Sequence, residues 1–241
     1  MCVSPEVDVL AGAAITVVAV DALRHVGHRR LLPLAMLPAI FAIHTFSSAL
    51  IWWGERADIP QSVGEAASVF FIVIAFVFLP VYVPISILLL EPRGWRRDSM
   101  LLLVGAGAVA GAQFLSAVMA GRSSATACDY YINFQVTGIP LAASGLYVIA
   151  TCGAMLLSGQ RILFWWGVVN AVAVAALVAW TQDGLPSLWC LWAACTSVFV
   201  AWYLRNLQKE RAEGGDWPWC GKPAATSVAP APAPGTGTGH E

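Results

Sequence analysis

The sequence has little charge. Only 11% of its 241 residues are Asp, Glu, Lys or Arg, and 59% are hydrophobic, whereas a soluble domain carries roughly 25% charged residues. The formal net charge is −1, and no basic run is dense enough to hold a polyphosphate backbone, so nucleic acid is not a predicted partner. Water is therefore excluded as the main solvent of the chain.

The cysteine pattern lacks the spacing of a metal or disulfide framework. None of the six Cys residues forms a C-x-x-C pair or a Cys/His zinc signature, so a zinc module and a disulfide-rich secreted fold are excluded. The segment MCVSPEVD before the first apolar block has no basic residue, which argues against a cleavable signal peptide. The sequence predicts no metal, no cofactor and no catalytic residue.

The apolar residues fall into seven blocks of about 18 to 25 residues, each long enough as a helix to cross a hydrocarbon core of roughly 30 Å. The sequence therefore predicts an all-α, polytopic transmembrane bundle of seven helices, with the lipid bilayer as its partner. The predicted domain covers residues 1–212, and its helices are 7–24, 31–53, 66–90, 99–120, 136–157, 162–180 and 186–206.

The basic residues predict the orientation of this bundle. Eleven of the thirteen Lys and Arg residues follow the first, third, fifth or seventh predicted helix, which leaves only Arg56 and Arg122 on the other side. Because Lys and Arg accumulate in cytoplasmic loops, we expect the N-terminus outside and the C-terminus inside. Tryptophans near both predicted boundaries agree with aromatic belts. The Pro/Ala/Gly-rich segment 213–241 is predicted to be a disordered cytoplasmic tail.

The second predicted helix carries a polar stripe. His44, Ser47, Ser48 and Trp52 stand at i, i+3, i+4 and i+8 and so share one helical face. Polar groups inside a bilayer are costly and tend to face a cavity or a partner. The stripe is either the wall of a pocket with His44 as ligand or proton carrier, or a packing face in which His44 makes one interhelical hydrogen bond.

Other polar residues extend the candidate pocket. Pro80 and Pro84 predict a kink in the third helix, where the freed carbonyl groups and Tyr82 either line a cavity or only shape the packing. The remaining candidates are isolated polar residues on the next three predicted helices, namely Gln113, Ser116, Tyr147, Thr151 and Asn170.

Ionisable residues and thiols near the membrane faces allow several interpretations. We expect Asp21 to pair locally with Arg24 and Glu91 to lie at the interface. Cys2, Cys128 and Cys190 are predicted at the outer face, where two of them could form a disulfide or one could be a reactive thiol. A retinal protein is excluded because no Lys lies within the last helix.

Several stretches resemble a bacterial family of multi-pass membrane proteins of unknown function. They are MCVS, LPLAMLP before His44, PVYVPISILLLEPRGWRR and SLWCLWAACTS. The resemblance implies a shared helical bundle in a bacterial inner membrane. It does not imply any particular activity. It also implies that certain residues are family positions, namely Cys2, Ser4, His44, Trp52, Pro80, Glu91, Trp189 and Cys190. Relatives often have Glu where this chain has Ser48, which weakens an acid/base or metal mechanism on this helix.

These observations favour a non-enzymatic membrane protein that binds or passes a small molecule or lipid. Its predicted pocket faces outward and is lined by the second, third, fourth and seventh helices. Two alternatives stay open at this point. One is a membrane-embedded enzyme, lipid-directed or thiol-based, and the other is a structural subunit of a membrane complex.

Overall fold

The computed structural model describes residues 4–128, 131–180 and 185–220, and it gives only the backbone for residues 127, 180 and 185–191. Cys2 therefore lies outside the described residues, as does the side chain of Cys190. The described chain is mostly helical, as the sequence predicts, and it adds one short antiparallel hairpin.

Seven helices are formed by the described residues, because α3, a π-helical segment and α4 run on as one. The elements in chain order are α1 (Pro5–Arg24), α2 (Leu32–Glu55), α3 (Gln61–Ile72), the π segment (Val73–Phe78), α4 (Leu79–Leu88), α5 (Trp95–Met119), β1 (Ser123–Ala127), β2 (Ile132–Val136), α6 (Leu141–Leu156), α7 (Arg161–Trp180) and α8 (Leu185–Ala212). Short 3₁₀ turns cover Arg29–Leu31 and Pro218–Cys220.

Four helical segments of the described chain are long and apolar enough to cross a membrane. They are Arg29–Glu55, Gln61–Leu88, Trp95–Met119 and Arg161–Ala179, and α6 is a shorter apolar helix. We call the end of the bundle that carries the β-hairpin the hairpin end. The opposite end, where α1, α4 and α8 finish among Arg residues, is the arginine end.

The hairpin corrects one predicted helix boundary. The helix predicted for 136–157 begins only at Leu141, because Ile132–Val136 pairs with Ser123–Ala127 as a strand. Gly138 then takes a positive φ of 74°, a conformation that favours glycine. Pro140 follows in an extended conformation as the N-cap. The turn residues therefore separate strand from helix, and the predicted outer loop contains a hairpin.

The α2 helix lies at the centre of the bundle, where it packs against α1, α3, α4 and α8. At the arginine end α1 is tied to α8, since Arg205 donates two hydrogen bonds to Asp21 at 2.8 and 2.6 Å. The local Asp21–Arg24 pair expected from the sequence is thus replaced by a bidentate pair between distant helices. Such a fork fixes relative orientation as well as distance.

Glu91 ties two loops together at the same end. Its side chain is 1% exposed, and its carboxylate accepts hydrogen bonds from the Gly159 amide at 2.8 Å and the Ser158 hydroxyl at 3.3 Å. The burial is tolerated because these donors replace part of the hydration that the carboxylate loses, and the expected position at the membrane interface stays a prediction. This link joins the α4–α5 and α6–α7 connections.

The first residues of the predicted tail pack against the arginine end. Trp217 and Trp219 stack on each other with ring centroids 5.1 Å apart, and their centroids lie 5.6 and 4.6 Å from that of His28. The guanidinium groups of Arg30 and Arg211 lie over Trp219 and Trp217. The rest of the predicted tail, 221–241, lies outside the described residues.

Where the sequence predicts a kink, the third helix has the π segment Val73–Phe78, which ends two residues before Pro80. A proline has no amide hydrogen to donate and its ring crowds the preceding turn, and a widened turn relieves both constraints. The widened backbone faces two glycines of α5, because a Cβ at Gly111 would lie 2.8 Å from the Val77 carbonyl oxygen and one at Gly107 would overlap that of Pro80. The irregular backbone is thus packed against α5.

This close packing predicts that Gly107→Ala lowers stability by about 1–3 kcal/mol, the usual cost of overpacking. Gly105→Ala is the matched control on the same helix, since a Cβ there meets nothing within 4 Å. The control should be neutral or up to about 1 kcal/mol more stable through helix propensity. Thermal unfolding of the purified variants measures both, and equal stabilities would contradict the close contact.

Candidate ligand cavity beside His44

A cavity of about 240 Å³ lies inside the bundle. Its wall extends from His44, midway along α2, to Ser144 near the start of α6 and Val178 near the end of α7, so it occupies the half nearer the hairpin end. The lining is mainly aromatic and aliphatic and consists of His44, Phe71, Ala75, Phe76, Phe114, Ser144, Tyr147, Val148, Thr151, Val174 and Val178.

His44 is the polar centre of this cavity wall. The residue is 4% exposed, and its ring stacks on Phe71 at a centroid distance of 3.7 Å. Its Nε2 atom is buried and meets no hydrogen-bond partner among the described residues, although the imidazole also interacts with the backbone of Phe71. A buried polar atom left unpaired costs about 1–3 kcal/mol. A ligand in the cavity that reached this atom with a hydrogen-bonding group would remove that cost.

The β-hairpin holds the other side of this aromatic stack. Phe134 of β2 stacks on Phe71 with centroids 4.0 Å apart and ring planes 3° from parallel, so the three rings of Phe134, Phe71 and His44 form one column. Ile132 and Phe134 are buried among α2 and α3 residues at the hairpin end. The alternating side chains of β2 therefore place one face of the hairpin in the bundle, where it fixes the ring beneath His44.

The rest of the lining is uncharged. Phe76 packs against Phe114 and Tyr147 with centroids 5.0 and 6.1 Å apart. The Thr151 hydroxyl lies 2.9 Å from the carbonyl oxygen of Tyr147 in the preceding helical turn, so it is already paired. With no Asp, Glu, Lys or Arg among the described wall residues, the cavity suits a neutral molecule, because an ion would lack a counter-charge there.

Only one member of the polar stripe reaches this cavity. Ser47 donates to the His44 carbonyl oxygen at 2.7 Å. The Ser48 hydroxyl lies 2.7 Å from both Asp8 Oδ2 and the Thr45 carbonyl oxygen. Trp52 is buried, its Nε1 has no partner in the described part of the chain, and its ring lies under Arg56. The stripe thus faces α1 as well as the cavity.

Asp8 is the polar residue that the sequence analysis missed. It is fully buried in α1 and bonds Ser48, while its Oδ1 lacks a partner in the described structure. An available signal was an acid inside an apolar helix at the depth of the stripe on the following antiparallel helix. Asp8 makes no hydrogen bond to His44 in the described structure, so the pair does not form the acid–imidazole relay of a hydrolytic triad.

The other predicted pocket residues are dispersed. Tyr82 donates to the Pro33 carbonyl oxygen at 2.9 Å, Ser116 is exposed and donates to the Gln113 carbonyl oxygen, and Asn170 accepts from Trp192 Nε1 at 2.7 Å. None of these lines the cavity beside His44. The helices that line the cavity also differ from those predicted to line the pocket, since α6 and α7 supply wall residues and no described residue of α8 does. Tyr147 and Thr151, predicted as isolated candidates, do lie on the wall.

Of the three predicted outer thiols, only the Cys128 side chain is described. Cys128 is a free thiol whose Sγ lies 4.0 Å from the Thr126 carbonyl oxygen. A disulfide between Cys2 and Cys190 stays a prediction, and so does a reactive thiol. Within the described residues there is no group of three or more His, Cys, Asp or Glu side chains placed to hold a metal ion.

Comparison with known proteins gives one match. Residues 1–214 match the model of a family described as "Family of unknown function (DUF6629)". No curated protein and no solved structure matches the chain. The matched region covers all the described helices and ends just after α8.

Proposed function

The chain belongs to this family of unknown function, and from its own geometry we propose that it is a seven-helix integral membrane protein that binds a small, neutral, mainly apolar molecule beside His44. The single observation that carries the proposal is a cavity with no charged residue on its described wall, lined by His44, whose buried Nε2 is unpaired in the described structure. Small-molecule sites are commonly such concave, mostly apolar spaces with a few placed polar groups.

Apolar side chains exposed along the helices support the membrane part of the proposal. Val17, Leu102 and Val172 are 71%, 75% and 63% exposed. Of the 18-residue apolar stretch of each helix, only 28% is buried in α5 and 17% in α7. Patches of this kind are covered by lipid or by another protein. In the proposed topology all seven helices span the bilayer, and the arginine end is cytoplasmic.

Two native cysteines at opposite ends of the bundle test this topology. In variants that keep only Cys128 or only Cys220, a membrane-impermeant maleimide added to intact cells should label Cys128, because the hairpin end faces outward. Cys220 is exposed at the arginine end and should react only after permeabilisation. Mass spectrometry of the purified variants reads the result, and the reverse pattern would contradict the N-terminus-out topology.

The cavity dimensions limit the ligand to about the size of one substituted ring. An engineered apolar cavity of about 150 Å³ stays dry and binds benzene, and the cavity beside His44, at about 240 Å³, leaves room for substituents. The aromatic walls at Phe76 and Phe114 favour a flat ring or a short apolar chain. His44 Nε2 supplies one hydrogen bond, as donor or acceptor according to its tautomer.

Phenol and toluene form a matched probe pair for this site, since they share a shape and differ in one hydroxyl. In His44→Phe the affinity for phenol relative to toluene should fall about 2- to 13-fold, the net value of one hydrogen bond of about 0.5–1.5 kcal/mol. Ser47→Ala is the control from the same stripe and should leave the ratio unchanged. Ligand-observed NMR in lipid nanodiscs, with empty nanodiscs subtracted, measures both affinities. An unchanged ratio in His44→Phe would refute the role of His44.

A further inference from the structure

A second concave surface lies between α7 and α8 at the arginine end, with a volume of about 330 Å³. We call it the aromatic groove. It is separate from the cavity beside His44 and shares no lining residue with it. Its main lining residues are Arg161, Trp165, Trp166, Phe199 and Trp202.

Stacked rings build the groove. Trp166 of α7 stacks on Phe199 of α8 with centroids 4.2 Å apart and planes 5° from parallel, and these half-buried rings hold the two helices apart. Trp165 and Trp202 are 55% and 48% exposed, one on each helix. Because large rings fill the space between the helices, the groove between their exposed neighbours stays open.

The groove matches the acyl region of one membrane leaflet in length. Arg161 is the first residue of α7, and Val169 is the groove residue deepest along this helix. At 1.5 Å per residue the two are about 12 Å apart along the axis, close to half of a hydrocarbon core of about 30 Å. An extended apolar chain can therefore lie along it from the interface toward the bilayer centre.

The charge at the open end of the groove is positive and free. Arg161 is exposed and has no ion-pair partner in the described part of the chain. The surface thus offers a cation at the interface and an apolar channel that continues along the helices.

We propose that the aromatic groove binds one anionic phospholipid, with its phosphate on Arg161 and an acyl chain along Trp165 and Trp202. This inference rests on the proposed membrane location but not on the ligand of the His44 cavity. A second copy of the chain fits less well, because helix pairs in membranes associate through small residues that allow close approach, whereas this surface is concave and lined by bulky rings.

A photoreactive benzoylphenylalanine at Val169, inside the groove, tests the proposal in vesicles of equal phosphatidylglycerol and phosphatidylcholine. Adducts identified by mass spectrometry should favour phosphatidylglycerol about fivefold, which corresponds to about 1 kcal/mol for one Arg near an anionic surface. Arg161→Gln should reduce this preference to near unity. Arg93→Gln, at the same end but outside the groove, should keep it.

The same photoreactive group at Val172, which is exposed on α7 but not in the groove, should label both lipids equally. A preference that survives Arg161→Gln, or one that also appears at Val172, would overturn the proposal. Cross-linking between two copies of the chain at Val169 would overturn it in favour of self-association. Because both leaflets of these vesicles have one composition, a reversed topology in the cysteine experiment would leave this result unchanged, so the two failures are distinguishable.

Discussion

The need to pair polar groups in an apolar surrounding controls this bundle more than any other constraint. The interior of the described bundle is apolar, and a buried hydroxyl or amide there costs free energy unless it finds a partner within the protein. Most hydroxyl groups on the helices donate to their own preceding turn, as at Thr45, Ser86 and Ser197. Longer side chains reach across, as in the bonds of Tyr82 to Pro33 and of Trp192 to Asn170. Buried polar atoms that lack a hydrogen-bond partner are therefore informative.

Five buried side-chain atoms lack a partner in the described structure, and two of them belong to residues on concave surfaces. His44 lines the inner cavity and Trp166 lines the aromatic groove, while Asp8, Trp52 and Tyr203 line neither. An unpaired group in a packed region only costs stability, but a molecule bound at a neighbouring concave surface could pair with such a group if it reached the atom. Both proposals follow from this distinction, with an uncharged wall selecting a neutral ligand and Arg161 selecting an anionic lipid.

The number of helices could be predicted from the sequence because each helix depends on the apolar length of one segment, whereas the role of His44 in a site stays a prediction. The hairpin was missed, since strands of five residues leave only a weak pattern in INFQV. Asp8 was missed as a partner of Ser48, because the rotation of one helix relative to another cannot be predicted from the sequence of either helix alone. Proline predicted a kink, but its π-helical form depends on how Gly107 and Gly111 of α5 meet it. Phe71 and Phe114 look like ordinary core residues until the cavity is seen.

The proposed function depends most on His44 facing a space that a ligand can fill. An experimental density map of the protein in lipid nanodiscs tests this directly. We expect ordered non-protein density in the cavity, within hydrogen-bond distance of His44 Nε2 and against Phe76 and Tyr147. A cavity closed by neighbouring side chains, with a protein group bonded to Nε2, would contradict it.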